Sequence, residues 1–95
     1  MQIQQLHTSA KPISSAPLFK ATEGQVITLR ILANEQLKEH TTKVPALLIC
    51  VSGESVFENE LGYKLALQVG EYVLIEPHVK HWINAQSTSC FVLIK

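Results

Sequence analysis

After Gly24 the chain alternates, with Val26, Thr28, Arg30 and Leu32 on one side of an extended segment and Ile27, Leu29, Ile31 and Ala33 on the other. A period of two carried largely by β-branched residues predicts a strand. Residues 36 to 42 fit either a helix or a strand by pattern alone, but Pro45 and the β-branched pair Thr41-Thr42 oppose a continuing helix. His40 is therefore expected on a short strand or at its end. Ala46 to Val51 is an unbroken apolar run closed by Ser52-Gly53, which suits a buried strand. Ser55 to Glu58 alternates again, Asn59-Glu60-Leu61-Gly62 supplies turn chemistry, and Tyr63 to Gln68 runs back as a hairpin that ends at Gly70. Tyr72, Leu74 and Glu76 alternate against Val73 and Ile75 until Pro77 breaks the run, and His81 to Ile83 and Cys90 to Ile94 give two closing strands. Seven or eight short strands at this spacing, with no helix among them, predict an all-β sandwich or barrel.

Ahead of these strands, Met1 to Thr22 is mixed and polar, with Pro12 and Pro17 bracketing Ser14-Ser15 and no sustained periodicity. It reads as an extended arm, and Ile13, Leu18 and Phe19 give it apolar pieces with which to dock as an edge strand. A chain of 95 residues supports a single core, so residues 1–22 are expected to be the arm and residues 23–95 the barrel of one domain. Apolar residues make up 46% and charged residues 17% of the sequence, which leaves apolar surface for a second copy to cover and favours a homodimer.

Eight basic side chains balance eight acidic ones, and neither sign forms a run, so no field is built that would draw in a nucleic acid. No stretch approaches the roughly 20 apolar residues that cross a bilayer, and the start of the chain lacks the pattern of a signal peptide. A cytoplasmic protein with no membrane partner is expected. Cys50 and Cys90 lie in apolar runs with no Cys-x-x-Cys spacing, and are read as reduced, buried thiols that act as small hydrophobes.

From His40 onward the order of residues resembles the cupin family. Asn34, five residues, His40-x-Thr42, three residues, Ala46, six residues and Gly53 keep the spacing of the first cupin motif, in which glycine, His-x-His, glutamate and glycine hold those places. Gly70, five residues, Glu76-x-His78, two residues, His81, three residues and Ala85 keep that of the second, with Gly70 and His81 matching and His78 standing at a turn glycine. Pro77 is shifted by one position from the motif proline, and Asn84 lies one residue short of the motif asparagine. The resemblance covers residues 24 to 95 and implies a small cupin-type jelly-roll barrel with a pocket inside it. It also implies a homodimer in which an N-terminal strand commonly crosses to the neighbour.

In metal-binding cupins the two histidines and the glutamate of the first motif and the histidine of the second converge on one transition metal. Carried over by position, His40 and His81 are kept as metal ligands, whereas Thr42 and Ala46 replace a histidine and the glutamate. An alanine methyl coordinates nothing and a neutral threonine hydroxyl is a poor ligand for a borderline divalent ion, so any divalent transition metal is expected to be weakly held. Counting by twos from Ala46 puts Leu48 and Cys50 on one face, which makes Cys50 a candidate pocket residue and a further thiolate donor. His78 is read as a solvated loop histidine and Trp82 as packing on the face opposite His81. A metal-free route like that of cupin-fold sugar-nucleotide epimerases needs a histidine base oriented by a carboxylate and a tyrosine acid; the chain has no Asp, neither Tyr63 nor Tyr72 is placed beside a histidine by the sequence, and Glu76 within the second motif is the one carboxylate set to face His78 or His81. A sensor module would need DNA-binding helices that the pattern does not contain.

The preferred expectation is a small-molecule-binding cupin whose pocket is marked by His40, Thr42, Cys50 and His81, with a degraded metal site. The alternative is a metal-dependent cupin enzyme, an oxygenase or isomerase, with a reduced ligand set.

Overall fold

The alternation becomes nine strands in a computed structural model that describes all of residues 1–95. They are β1 (Ile13–Phe19), β2 (Val26–Ile31), β3 (Gln36–His40), β4 (Ala46–Ser52), β5 (Ser55–Asn59), β6 (Lys64–Leu67), β7 (Tyr72–Ile75), β8 (His81–Ala85) and β9 (Ser89–Ile94). All pairings are antiparallel. One sheet has five strands in the order β1-β2-β9-β4-β7 and the other has four in the order β3-β8-β5-β6, so the expected all-β jelly roll forms.

Strand β4 shows how pattern becomes core. Ala46, Leu48 and Cys50 turn inward and are buried, while Leu47, Ile49 and Val51 on the opposite face are only half-buried. The same alternation sends Val73 and Ile75 inward from β7, and Phe57 and Ile83 inward from β5 and β8. Twelve buried apolar side chains from both sheets form one cluster, with Phe57, Phe91, Ile31 and Leu48 among the largest of those fully enclosed. At one end of the barrel the two sheets are also tied through hydroxyls: Ser55 Oγ of β5 lies 2.8 Å from Ser89 Oγ of β9, both buried. Ser55 donates to Ser89, whose own proton goes to the Ser87 carbonyl at 2.8 Å, so both hydroxyls avoid the penalty of burial without a partner.

Six residues have left-handed backbone, and four of them, Asn34, Gly53, Gly70 and His78, fall at places where the cupin motifs carry glycine. Gly53 and Gly70 have φ of 82° and 90°, while Asn34 and His78, the two substituted glycines, have φ of 65° and 64°. Asparagine and histidine are among the non-glycine residues that take this region most readily, so the spacing has kept the turns where the residue identity has changed. Gly53 is also sterically fixed, because a Cβ at this position would meet the Thr88 carbonyl and Ser89.

The arm is more structured than its composition implies. Its β1 joins the five-stranded sheet as an edge strand, paired to β2 in the register Ile13↔Ile31 to Ala16↔Thr28, with an irregularity between Pro17 and Phe19. Ahead of it, Ile3–Leu6 form a single 3-10 turn, a departure from the helix-free expectation; a four-residue turn is too short to leave a periodic signature. This turn leads into His7, which is buried on the outer side of β2. Thr28 Oγ1 donates to the Phe91 carbonyl at 3.0 Å, so it accepts from the His7 Nε2–H at 3.1 Å, leaving Nδ1 to accept from the Ser14 hydroxyl at 2.8 Å. Arg30 completes the fastening, its guanidinium donating to the carbonyls of His7 and Ser9 at 3.2 and 2.6 Å.

Burial, and then the charge of Arg30, hold the His7 pKa below the ordinary 6.5. The unfolded or released chain therefore binds a proton more readily, and the stability His7 supplies is present above pH 6.5 and declines as the pH falls below it. His7→Gln is expected to lower the melting temperature at about pH 7, and the gap from the parent is expected to narrow by about pH 5; a gap that does not change with pH counts against the role of the imidazole. For the turns, Gly53→Ala is expected to cost about 3 kcal/mol or more by urea unfolding, combining strain with a backbone clash. Gly62→Ala, where φ is also positive but no atom lies within 4 Å of the added Cβ, should cost only about 1–2 kcal/mol.

Candidate functional site

Where β6 and β7 face each other, no ladder joins the two sheets, since each is the last strand of its own sheet. A pocket of about 880 Å³ opens there. Its walls include Phe57, Leu65, Val73 and Ile75, its mouth carries Tyr63 and Tyr72, and His81 lies in its lining. Strand parity explains the arrangement: Val73 and Ile75 point in, whereas Tyr72 and Leu74 point out and are 61% and 71% exposed.

His81 opens β8 and pairs with Asn59 at the end of β5 and with His40 at the end of β3. It is only 2% exposed. Its ring stacks on Phe57 at 5.6 Å between centroids and meets the His40 ring at 4.1 Å. Each histidine uses Nδ1 on a backbone carbonyl, His81 on Val79 at 3.1 Å and His40 on Lys38 at 3.0 Å. A carbonyl only accepts, so Nδ1 carries the proton in both rings and each Nε2 presents a lone pair without a hydrogen-bond partner. Burial is the main cause holding the His81 pKa below 6.5, the neighbouring His40 adds to it, and the Val79 hydrogen bond opposes it.

The other expected site residues are arranged differently. Thr42 is buried but does not reach out to a histidine; its hydroxyl donates to the Val44 carbonyl at 2.8 Å, and its own carbonyl accepts the His78 N–H at 2.8 Å. It braces the loop that delivers His81. Cys50 is fully buried, but its Sγ contacts the carbonyls of Ser52 and Gly53, beside Ser55 at the end of β5 opposite Asn59. Since His81 pairs with Asn59, four residues from Ser55, about 13 Å of strand separates the thiol's end of the barrel from the histidines. Burial raises the Cys50 pKa, which keeps it a neutral thiol. The parity argument placed Cys50 on the inner face correctly, but parity carries no information about depth along the strand.

His78 is exposed, as read from the sequence, and Trp82 lies on the face opposite His81 with its Nε1 donating to Glu58 at 3.2 Å. His40 is exposed at the barrel end and does not line the pocket, so only His81 of the four expected residues does. Sequence reasoning missed Phe57, Tyr63 and Tyr72; the hairpin signal at Asn59 to Gly62 located their turn but not its approach to β7.

A resident metal of the cupin type does not fit this donor set. No group of three or more His, Cys, Asp or Glu side chains is placed to hold an ion, and the two remaining motif positions offer a hydroxyl engaged with Val44 and a methyl group. Two imidazoles fall short of the three or more protein ligands that such sites use.

No protein-family model matches the sequence, and no curated protein matches it either. Solved structures do. Over 98% of its length the chain is similar to a cupin superfamily protein from Desulfitobacterium hafniense, with 16% identity, 84% of that chain covered and a TM-score of 0.84. An RmlC-like cupin from Shewanella frigidimarina matches 87% of this chain and 74% of its own at 16% identity and a TM-score of 0.79. A protein from Neisseria meningitidis matches 99% and 95% at 18% identity and a TM-score of 0.81. At such identities the likeness is one of fold, and the fold is that of the cupins. Within that class the chain is a small single barrel with two motif histidines at one end and an apolar pocket beside them.

Proposed function

We propose that the protein is a small-molecule-binding cupin that works without a tightly held metal, its ligand entering between β6 and β7 to reach His81. The observation that carries this reading is a roomy, largely apolar pocket lined by a buried imidazole, at a barrel end where half of the family's ligand positions cannot coordinate. Such a cavity with a few convergent polar groups is the usual form of a small-ligand site. A specific observation favours the second reading, a metal-dependent enzyme with a reduced ligand set: His40 and His81 are both fixed by Nδ1 hydrogen bonds, the outer-shell arrangement that readies Nε2 for a metal.

The reading includes a homodimer. On the outer face of the five-stranded sheet, register aligns Val26, Ile94, Leu47 and Leu74 in one row and Val92, Ile49 and Tyr72 in the next, beside Thr28, which His7 already covers. Neither row contains a charge. An antiparallel sheet with one face in water normally alternates apolar and polar, so apolar residues on both faces support a covered sheet, and a second copy of the same rows is the occupant proposed. No helix of the chain is long and apolar enough to cross a membrane. The two free, buried cysteines are in keeping with a cytoplasmic location.

Metal analysis of protein purified without chelator is expected to find far less than one equivalent of any first-row ion after dialysis. The double variant Thr42→His with Ala46→Glu should bind nickel or zinc more tightly by orders of magnitude, measured by calorimetry. Retention of one equivalent by the parent, abolished in His81→Ala, would put the enzyme reading first. Light scattering should give a dimer mass for the parent and a monomer mass for Ile49→Lys combined with Leu74→Glu, because buried charges in both copies cost more than the apolar contacts return.

A further inference from the structure

The pocket between β6 and β7 has a one-sided polarity that restricts what it can hold. The most buried polar side chain among its lining residues is that of His81, whose single ring proton is committed to Val79, so Nε2 can only accept. Two acidic residues belong to the lining, Glu71 before β7 and Glu76 after it, both exposed at its rim, and no Lys or Arg does. Neither carboxylate has a basic partner, the protein's single ion pair being Lys80 with Glu39. The donors among the lining residues, the Asn59 amide, the Tyr63 hydroxyl and the outward-turned Tyr72 hydroxyl at the rim, are all neutral. An anion entering this space would meet two unpaired negative charges and no positive one.

The two ends of the pocket differ. β7 ends at Ile75 and only five residues intervene before His81, so Glu76 and His81 belong to the same end of the barrel. Glu71 lies at the other end of β7, about 17 Å away along the strand. Between them the walls are apolar, and Phe57 and Tyr63, 6.5 Å apart in an edge-on arrangement, present aromatic surface. Acceptor, negative charge and aromatic wall meet at one end, and all three favour a charged donor.

We infer that the pocket takes a small organic cation, a protonated amine on an apolar or aromatic body, with its N–H directed to His81 Nε2, its charge toward Glu76 and its body along Phe57, Leu65 and Val73. This rests on the reading of the pocket as the ligand site, and adds the class of ligand. No covalent step is involved.

Calorimetry with three probes that share a phenyl body tests it: phenethylamine, phenylethanol and phenylpropionate. The amine is expected to bind at least about tenfold more tightly than the carboxylate, with the alcohol between them. Glu76→Gln, a change at an exposed position that leaves the core untouched, should weaken the amine about threefold and leave the alcohol unchanged. Binding of the alcohol or the carboxylate as tight as the amine overturns the assignment of ligand class while the pocket stands as a ligand site. An amine affinity unaffected by Glu76→Gln overturns the placement of the charge. If none of the three probes binds, the ligand-site reading fails together with the inference.

Discussion

Two sheets share a single layer of side chains, and the rest of the molecule follows from how that layer is filled and where it is left open. Face-to-face sheets sit about 10 Å apart, so the inner positions of facing strands must interdigitate in low-volume, apolar combinations. Ala46, Leu48 and Cys50 on β4 meet this from one side and Phe57 and Ile83 from the other. At the Gly53 end the layer is closed by paired hydroxyls and by a backbone approach that only glycine allows. At the other end, and along β6 and β7, it is not closed, and the space that remains is the pocket. The buried His81 is held at this opening by contacts on both sides, Phe57 stacked against it and the Val79 carbonyl fixing its tautomer.

Much of the barrel was legible because its signals are local. Period-two alternation located β2, β5 and β7, continuous apolar runs located β4 and β9, and Asn59 to Gly62 located the hairpin turn, since all three signals act over a few residues. The cupin spacing added long-range order, and its substituted glycines explain why it survives: Asn34 and His78 still turn left-handed, so the reversals remain although two identities have been lost. The arm was harder to read. β1 contains two serines and a proline and gains its order from pairing with β2, while the anchor at His7 depends on Thr28, Ser14 and Arg30, partners up to 23 residues away.

The site was legible in part for a related reason. Spacing identified His40 and His81 as neighbours, and the rings do meet. It did not distinguish a buried imidazole inside the pocket from an exposed one outside it, because that depends on which strand covers which end. Thr42 was read as a pocket hydroxyl, yet its carbonyl and hydroxyl both serve the loop at Val44 and His78. Cys50 shares its face with the pocket wall but lies at the wrong depth. The aromatic and acidic lining comes from β5, the turn after it and β7, whose approach to one another is set by tertiary closure.

The irregularity at Pro17 bears on how copies of this chain can associate. β1 is the outermost strand of its sheet, and an unpaired outer strand is a template on which another molecule can add its own, molecule after molecule, into a fibre. Pro17 has no N–H to offer such an incoming strand, and the shift in pairing between Pro17 and Phe19 breaks the straight row of groups that continued growth needs. Growth along that rim is thereby interrupted within a strand of seven residues. The pairing proposed above, broadside through the uncharged rows of the same sheet, would consume the surface it uses and stop at two copies.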